Sequence, residues 1–195
     1  MYSTITTGAL QGVSAYLVSV ETDISPGLPT LNLVGSLSQE VREARDRVGV
    51  ALRNVGLNLP PSRITVNLAP ANRRKDGTAF DLPIAVGLLA AMNQISPKRI
   101  QNTLFLGELG LDGEIKGVPG VLPIVREAAC RGMEECIIPS VNAMEGALIP
   151  NITVRGVSSL QELFPFLQSE GEEGEKLAPA VFLDTMKLFQ EKAAE

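Results

Sequence analysis

Hydrophobic and polar positions along the chain alternate in two rhythms. Residues 3–10 and 13–20 alternate with a period of two around Gln11-Gly12, which predicts a β-hairpin. Pro26-Gly27-Leu28-Pro29 marks a turn, and Thr30 to Val34 a third short strand. A helical rhythm then takes over. Val41, Ala44, Val48, Ala51, Leu52 and Val55 recur at spacings of three and four, so one apolar stripe runs along a helix ending near Asn54. Ser36 with Gln39 fits a capping box at its start. Arg42, Glu43, Arg45, Asp46, Arg47 and Arg53 occupy the other side, a solvated face with Glu43 and Arg47 at i,i+4.

Pro60-Pro61 breaks the chain, and the β-branched run Arg63 to Leu68 reads as a strand. Ile84 to Met92 is apolar nearly all round, so this helix should be buried, with Asp81 as its cap and Pro83 in its first turn. Further on, strands at 103–109, 135–139 and 152–157 alternate with helices at 120–131, 142–148 and 159–167. Leu111-Asp112-Gly113 turns into Glu114-Ile115-Lys116. The order predicts a mixed α/β domain over residues 1–168. Residues 169–177 read as a polar acidic linker, and residues 178–194 as one last amphipathic helix using Val181, Leu183, Met186, Leu188 and Phe189.

Composition sharpens this picture in three places. The hydrophobic fraction is 45% and the aromatic fraction 4%, so the core must be aliphatic. The net charge of −5 is uneven. Residues 169–195 hold three lysines against seven acids, a net of −4, which leaves about −1 for residues 1–168. The acidic balance therefore does not exclude a local basic patch on the main domain. Two cysteines, Cys130 and Cys136, and no histidine exclude a Cys/His zinc site on ligand count. The cysteines read as two reduced thiols. The N-terminus has neither a basic nor an apolar signal region, and the longest apolar stretch, Leu82 to Met92, is too short to span a bilayer. A cytoplasmic protein is expected, with no membrane contact.

Candidate chemistry concentrates in Arg73-Arg74-Lys75-Asp76-Gly77-Thr78-Ala79-Phe80-Asp81, a basic loop between an apolar strand and the buried helix. Loops on a rigid scaffold are where function usually sits. No G-x-x-x-x-G-K-[ST] run occurs, so the chain has no P-loop for nucleotide hydrolysis. Gly107, Gly110 and Gly113 read as turn glycines. Arg73, Arg74 and Lys75 are candidate phosphate contacts that would position a nucleic acid strand without reading its bases. No aromatic interleaving supports a stacking platform. The bland alternative is a solvated loop part-neutralised by Asp76 and Asp81, and a subunit interface is a third. Asp76 and Asp81 as a divalent-ion pair is weaker, since two such carboxylates are more often caps or ion-pair partners.

The run RITVNLAPANRRKDGTAFDLPIAVG over residues 63–87 resembles the N-terminal domain of the Mg-chelatase-like ComM/YifB family. PGLPTLNLVG at 26–35, VREARDRVGVALRNVGL at 41–57 and LFLGELGLDGEIKGVPGVLP at 104–123 extend the resemblance over most of residues 1–168. Ser36-Leu37-Ser38 departs from it, where the family carries a Leu-Pro-Asp-type turn. The resemblance implies a Lon proteolytic-domain-like, ribosomal-protein-domain-like two-layer α/β fold. It also implies a larger hexameric AAA+ motor that acts on branched DNA in natural transformation. ATP and Mg would belong to that motor's ATPase module, so no cofactor and no metal are expected in this chain. The partners expected from it are further copies of the chain and DNA.

Likeness to Lon raises the question of peptidase activity. A Ser-Lys dyad needs a serine hydroxyl activated by a desolvated amine. The Lon pattern puts Ala79 at the nucleophile position, and counting back from Gly132 and Pro139 puts Leu122 at the lysine position; neither can transfer a proton or attack a carbonyl. The displaced alternative is Thr78 with Lys75 or Lys116. Three functions are thus carried forward: a non-catalytic Lon-like module serving assembly and DNA contact, a Lon-type peptidase with a displaced nucleophile, and a stand-alone binding module.

Overall fold

The structure, a computed structural model, describes residues 1–183. β1 (Tyr2–Gln11) and β2 (Ser14–Ser25) form the expected hairpin, paired from Tyr2↔Asp23 to Gln11↔Ser14. The turn is made possible by Gly12 at φ 61°. β3 (Thr30–Val34) pairs parallel with β4 (Arg63–Ala69), which runs antiparallel to β2. β5 (Thr103–Phe105), β8 (Glu135–Pro139) and β9 (Thr153–Val157) add parallel strands beside β1. β10 (Ala180–Val181) closes the edge, giving one eight-stranded mixed sheet in the order β10-β9-β8-β5-β1-β2-β4-β3. β6 (Glu108–Leu109) and β7 (Ile115–Lys116) form a separate hairpin. The single strand expected over 103–109 is thus two: the Leu106 amide still bonds to Ile137 O of β8, but the Gly107 amide turns away to Ala79 O.

The helices follow from their apolar stripes. α1 (Gln39–Asn54) buries Val41, Ala44, Val48, Ala51 and Leu52. Its cap is Ser38, whose hydroxyl accepts from the Val41 amide at 3.4 Å; Ser36, the expected cap, instead uses its carbonyl to accept from Lys75. α2 (Asp81–Ala91) is buried on all sides. It approaches the sheet closely at Gly87, where a Cβ would fall 2.8 Å from Thr22 Oγ1. The short α3 (Pro97–Ile100) was not expected. α4 (Val121–Cys130), α5 (Ala143–Gly146, after a 3-10 turn) and α6 (Leu160–Gln168) stand close to the predicted positions.

Alternation along the parallel strands sorts the core. Phe105 and Ile137 join the cluster under α1, α2 and α6, while Leu104, Cys136 and Ile138 join the cluster under α4 and α5. Parallel crossovers place helices on both faces. The two-layer arrangement therefore holds for the β4–β3 side, and a third layer covers the parallel strands. α4 lies so close to β1 that a Cβ on Gly8 would overlap Ile124.

The acidic stretch after α6 is not extended. Glu172–Leu177 form a helix, α7, and Ala180–Val181 a strand where a helix was expected. Met186, Leu188 and Phe189 of the expected helix lie outside the described residues. Among the described residues, no helix is long and apolar enough to cross a membrane.

Candidate functional site

The basic loop leaves β4 at Ala69 and enters α2 at Asp81. Its centre is stitched to the entrance of α1. The Lys75 amide donates to Ser36 O and the Ser38 amide to Lys75 O, both at 2.9 Å, a one-residue parallel bridge. The Ser36-Leu37-Ser38 segment thus carries the loop as well as opening the helix.

Lys75 is fully buried. Its ammonium donates to Arg73 O at 2.7 Å and to Pro70 O, so the loop curls around its own charge. The neutral carbonyls replace water, and burial pushes the Lys75 pKa down from the ordinary lysine value. Of the three candidate phosphate contacts, Lys75 thus turns its ammonium to backbone carbonyls and away from solvent. Arg73 and Arg74 remain exposed. The Arg73 guanidinium lies 4.7 Å from the centre of the Tyr16 ring. The Tyr16 hydroxyl donates to Arg74 O at 3.0 Å. Burial raises the Tyr16 pKa, against the opposing charge of Arg73. Arg74 pairs with Asp76 at 2.9 Å, both side chains well exposed.

Asp81 does not cap α2. It is fully buried, and its oxygens accept from Arg47 at 2.8 and 3.0 Å and from the Leu109 amide at 3.1 Å. One carboxylate joins α1, α2 and β6. Desolvation raises the Asp81 pKa against the pull of Arg47. Among the described residues no group of three or more His, Cys, Asp or Glu side chains converges.

A cleft of about 210 Å³ opens beside Gly77, with Leu10, Thr78, Ala79, Pro119 and Ile124 in its wall. Ala79 fixes the wall through its carbonyl, which accepts from Gly107 at 3.1 Å. Leu122 is not among the lining residues; its amide donates to Glu145 Oε1 at 3.0 Å. The hydroxyl of Thr78 donates to Glu108. A carboxylate is a far weaker base than a desolvated amine, so this bond orients the hydroxyl rather than activating it. Lys75 is committed to the carbonyls of Pro70 and Arg73. Lys116 stands exposed on β7, in register with Glu108. The sequence reading missed Tyr16, Arg47 and Glu108. Each reaches its partner across 30 or more residues, and no local spacing signals such a pair.

The cysteines differ in setting. Cys130 is exposed, and Cys136 is buried. Burial pushes the Cys136 thiol up to about 12, helped by neighbouring Glu135.

The chain is similar to known proteins over most of its length. The family model of the ChlI subunit of Mg-chelatase matches residues 20–142. The competence protein ComM of Haemophilus influenzae is 40% identical over 184 residues, covering 94% of this chain and 36% of that protein. YifB of Escherichia coli is 40% identical over 168 residues, 86% of this chain and 33% of that protein. The DNA repair protein RadA of Bacillus subtilis is 30% identical over 166 residues, 80% of this chain and 33% of that protein. The chain spans about a third of the length of these relatives. With its family model matched over more than half its length, the chain belongs to the family of the ChlI subunit of Mg-chelatase, alongside ComM and YifB.

Proposed function

We propose that residues 1–168 are a non-catalytic, Lon-like module of a cytoplasmic Mg-chelatase-like AAA+ protein, serving hexamer assembly and DNA contact. ATP and Mg would be used by another part of that protein. The observation that carries the non-catalytic reading is the wall of the cleft beside Gly77. Ala79 presents a methyl group, the neighbouring Thr78 hydroxyl is held by Glu108, and the only buried amine of the loop is spent on backbone carbonyls. Hydroxyl and amine are both present, but each is engaged by another partner, and nucleophilic catalysis needs them engaged with one another.

DNA contact is proposed for Arg73 and Arg74, the exposed pair of the loop. The names of two relatives, a competence protein and a DNA repair protein, support that direction for the parent molecule. The pairing of Arg74 with Asp76 limits the charge available, so the contact would be weak and salt-dependent.

Turnover of fluorescent casein and of a mixed peptide library tests the non-catalytic reading. The chain should release no fluorescence above buffer, and Thr78→Ala should behave identically. Turnover by the wild-type chain that disappears in Thr78→Ala would establish the peptidase reading in its place.

A further inference from the structure

Residues 169–181 are tied to the domain by charge far more than by apolar burial. Three basic side chains form the receiving surface. Arg155 of β9 is buried, and its guanidinium donates to Ala178 O at 2.5 Å and to Glu175 at 2.7 Å, with Nε 3.0 Å from Glu135. Arg99 of α3 donates to Ser169 O at 3.0 Å and to Glu175 at 3.3 Å. Lys98 and Ser96 bind the two oxygens of Glu170 at 2.8 and 2.7 Å. Both guanidiniums lie over the Phe166 ring, at 4.2 and 5.1 Å from its centre. Two like charges on one ring need a shared counter-charge, and Glu175 supplies it to both.

The apolar anchoring is small. Ala178 is buried and Val181 is partly buried against the core, but Leu177 is exposed and β10 is two residues long. Glu175 and Glu170 are each 52% exposed, so salt can screen their pairs. Gly174 is the point of closest approach: a Cβ there would collide with the Arg99 guanidinium.

We propose that residues 169–181 are an electrostatic latch, an acidic strap that opens as a unit while the rest of the domain stays folded. Opening uncovers the edge of β9, now paired with β10 through Ala180↔Arg155 and Val181↔Val154. It also leaves Arg99 and Arg155 on one ring with Glu135 as the remaining nearby carboxylate. An edge strand beside two guanidiniums is a receptor for an extended acidic segment; in the closed state the chain fills it with its own.

Amide hydrogen exchange of the full chain, read by mass spectrometry, tests this. In wild type, segments 153–157 and 172–181 should exchange together and faster on going from 50 mM to 1 M NaCl. Glu175→Gln should speed both roughly ten-fold at low salt and flatten the salt response, while β1, β2 and β4 keep wild-type protection. Gly174→Ala keeps Glu175 but displaces the Arg99 guanidinium from its place over the strap, and should give the same pattern. Strap protection unchanged in both variants overturns the proposal, as does loss of protection spread equally through β1, β2 and β4.

Discussion

The basic loop at 73–76 and the acidic strap at 169–181 look alike as sequence. Each is polar, short of apolar residues and easily read as solvated. The fold uses charge in both to tie a segment down, but with different partners. The loop wraps Lys75 in neutral carbonyls, out of solvent. The strap is held by ion pairs whose carboxylates are half in solvent. A buried donor on carbonyls is little affected by salt, whereas exposed pairs are screened. Chemically similar stretches therefore become a rigid part of the core in one case and a releasable clasp in the other.

Variants can widen or break that contrast. The largest effect is expected next to the loop, at Asp81. Asp81→Ala leaves Arg47 without its buried partner and strips the Leu109 amide of its acceptor. It should cost about 3–5 kcal/mol, measured by urea denaturation. Lys75→Met keeps the apolar stem and removes the ammonium, leaving two carbonyls unpaired. About 1–2 kcal/mol is expected, with a salt dependence unchanged from wild type. A loss that vanishes in 1 M salt would show that Lys75 is held by long-range charge instead of carbonyls.

Both regions should gain stability as pH rises, but in separate pH windows. Glu170 is held below the ordinary carboxylate value of 4.5 by its hydrogen bonds to Lys98 and Ser96. For Glu175 burial works against ionisation, but its pairs with Arg155 and Arg99 win and depress its pKa below 4.5. The charged groups facing Glu175 are Arg99 of α3 and Arg155 of β9, with Glu135 of β8 beyond, and Glu172, Glu173 and Lys176 on its own helix. A depressed carboxylate stabilises the folded state fully above its unfolded pKa. That stabilisation is lost as pH falls through the depressed value, so acid should release the strap. Lys75 has a folded pKa lowered from 10.5 by burial. A base that prefers to be neutral when folded adds stability as pH rises through that lowered value. Hydrogen exchange of the two segments between pH 3 and pH 10, corrected for intrinsic rates, should show the strap losing protection in acid and the loop gaining protection only on the alkaline side; a single shared pH window would remove the contrast.

What the sequence made legible is periodic and local. The α1 stripe at Val41, Ala44, Val48, Ala51 and Leu52 is buried as spaced. The hairpin turn sits at Gly12, and the all-apolar α2 lies in the core. The cap moved from Ser36 to Ser38 because Ser36 and Ser38 together hold Lys75 through their backbones. That bridge joins residues far apart in the chain and has no periodic signature. The same holds for the strap, whose receiving arginines lie up to 76 residues away. At the candidate site, Ala79 lines the cleft, whereas Leu122, placed by counting along the chain, lies outside its lining. Burial of Lys75 was illegible because its partners are carbonyls, which every residue carries.

The smallest predicted effect bears on function most directly. Binding of a duplex oligonucleotide, followed by fluorescence anisotropy between 50 and 200 mM salt, counts the phosphates that the loop contacts. With Lys75 buried, Arg73 and Arg74 can contribute at most two contacts, about −1.8 in the slope of log affinity against log salt. Arg73→Ala/Arg74→Ala should weaken binding and remove that part of the slope, and Lys75→Met should leave the slope as it is. A double variant with wild-type affinity and slope, or a Lys75→Met variant that loses a full phosphate's share, would contradict the account.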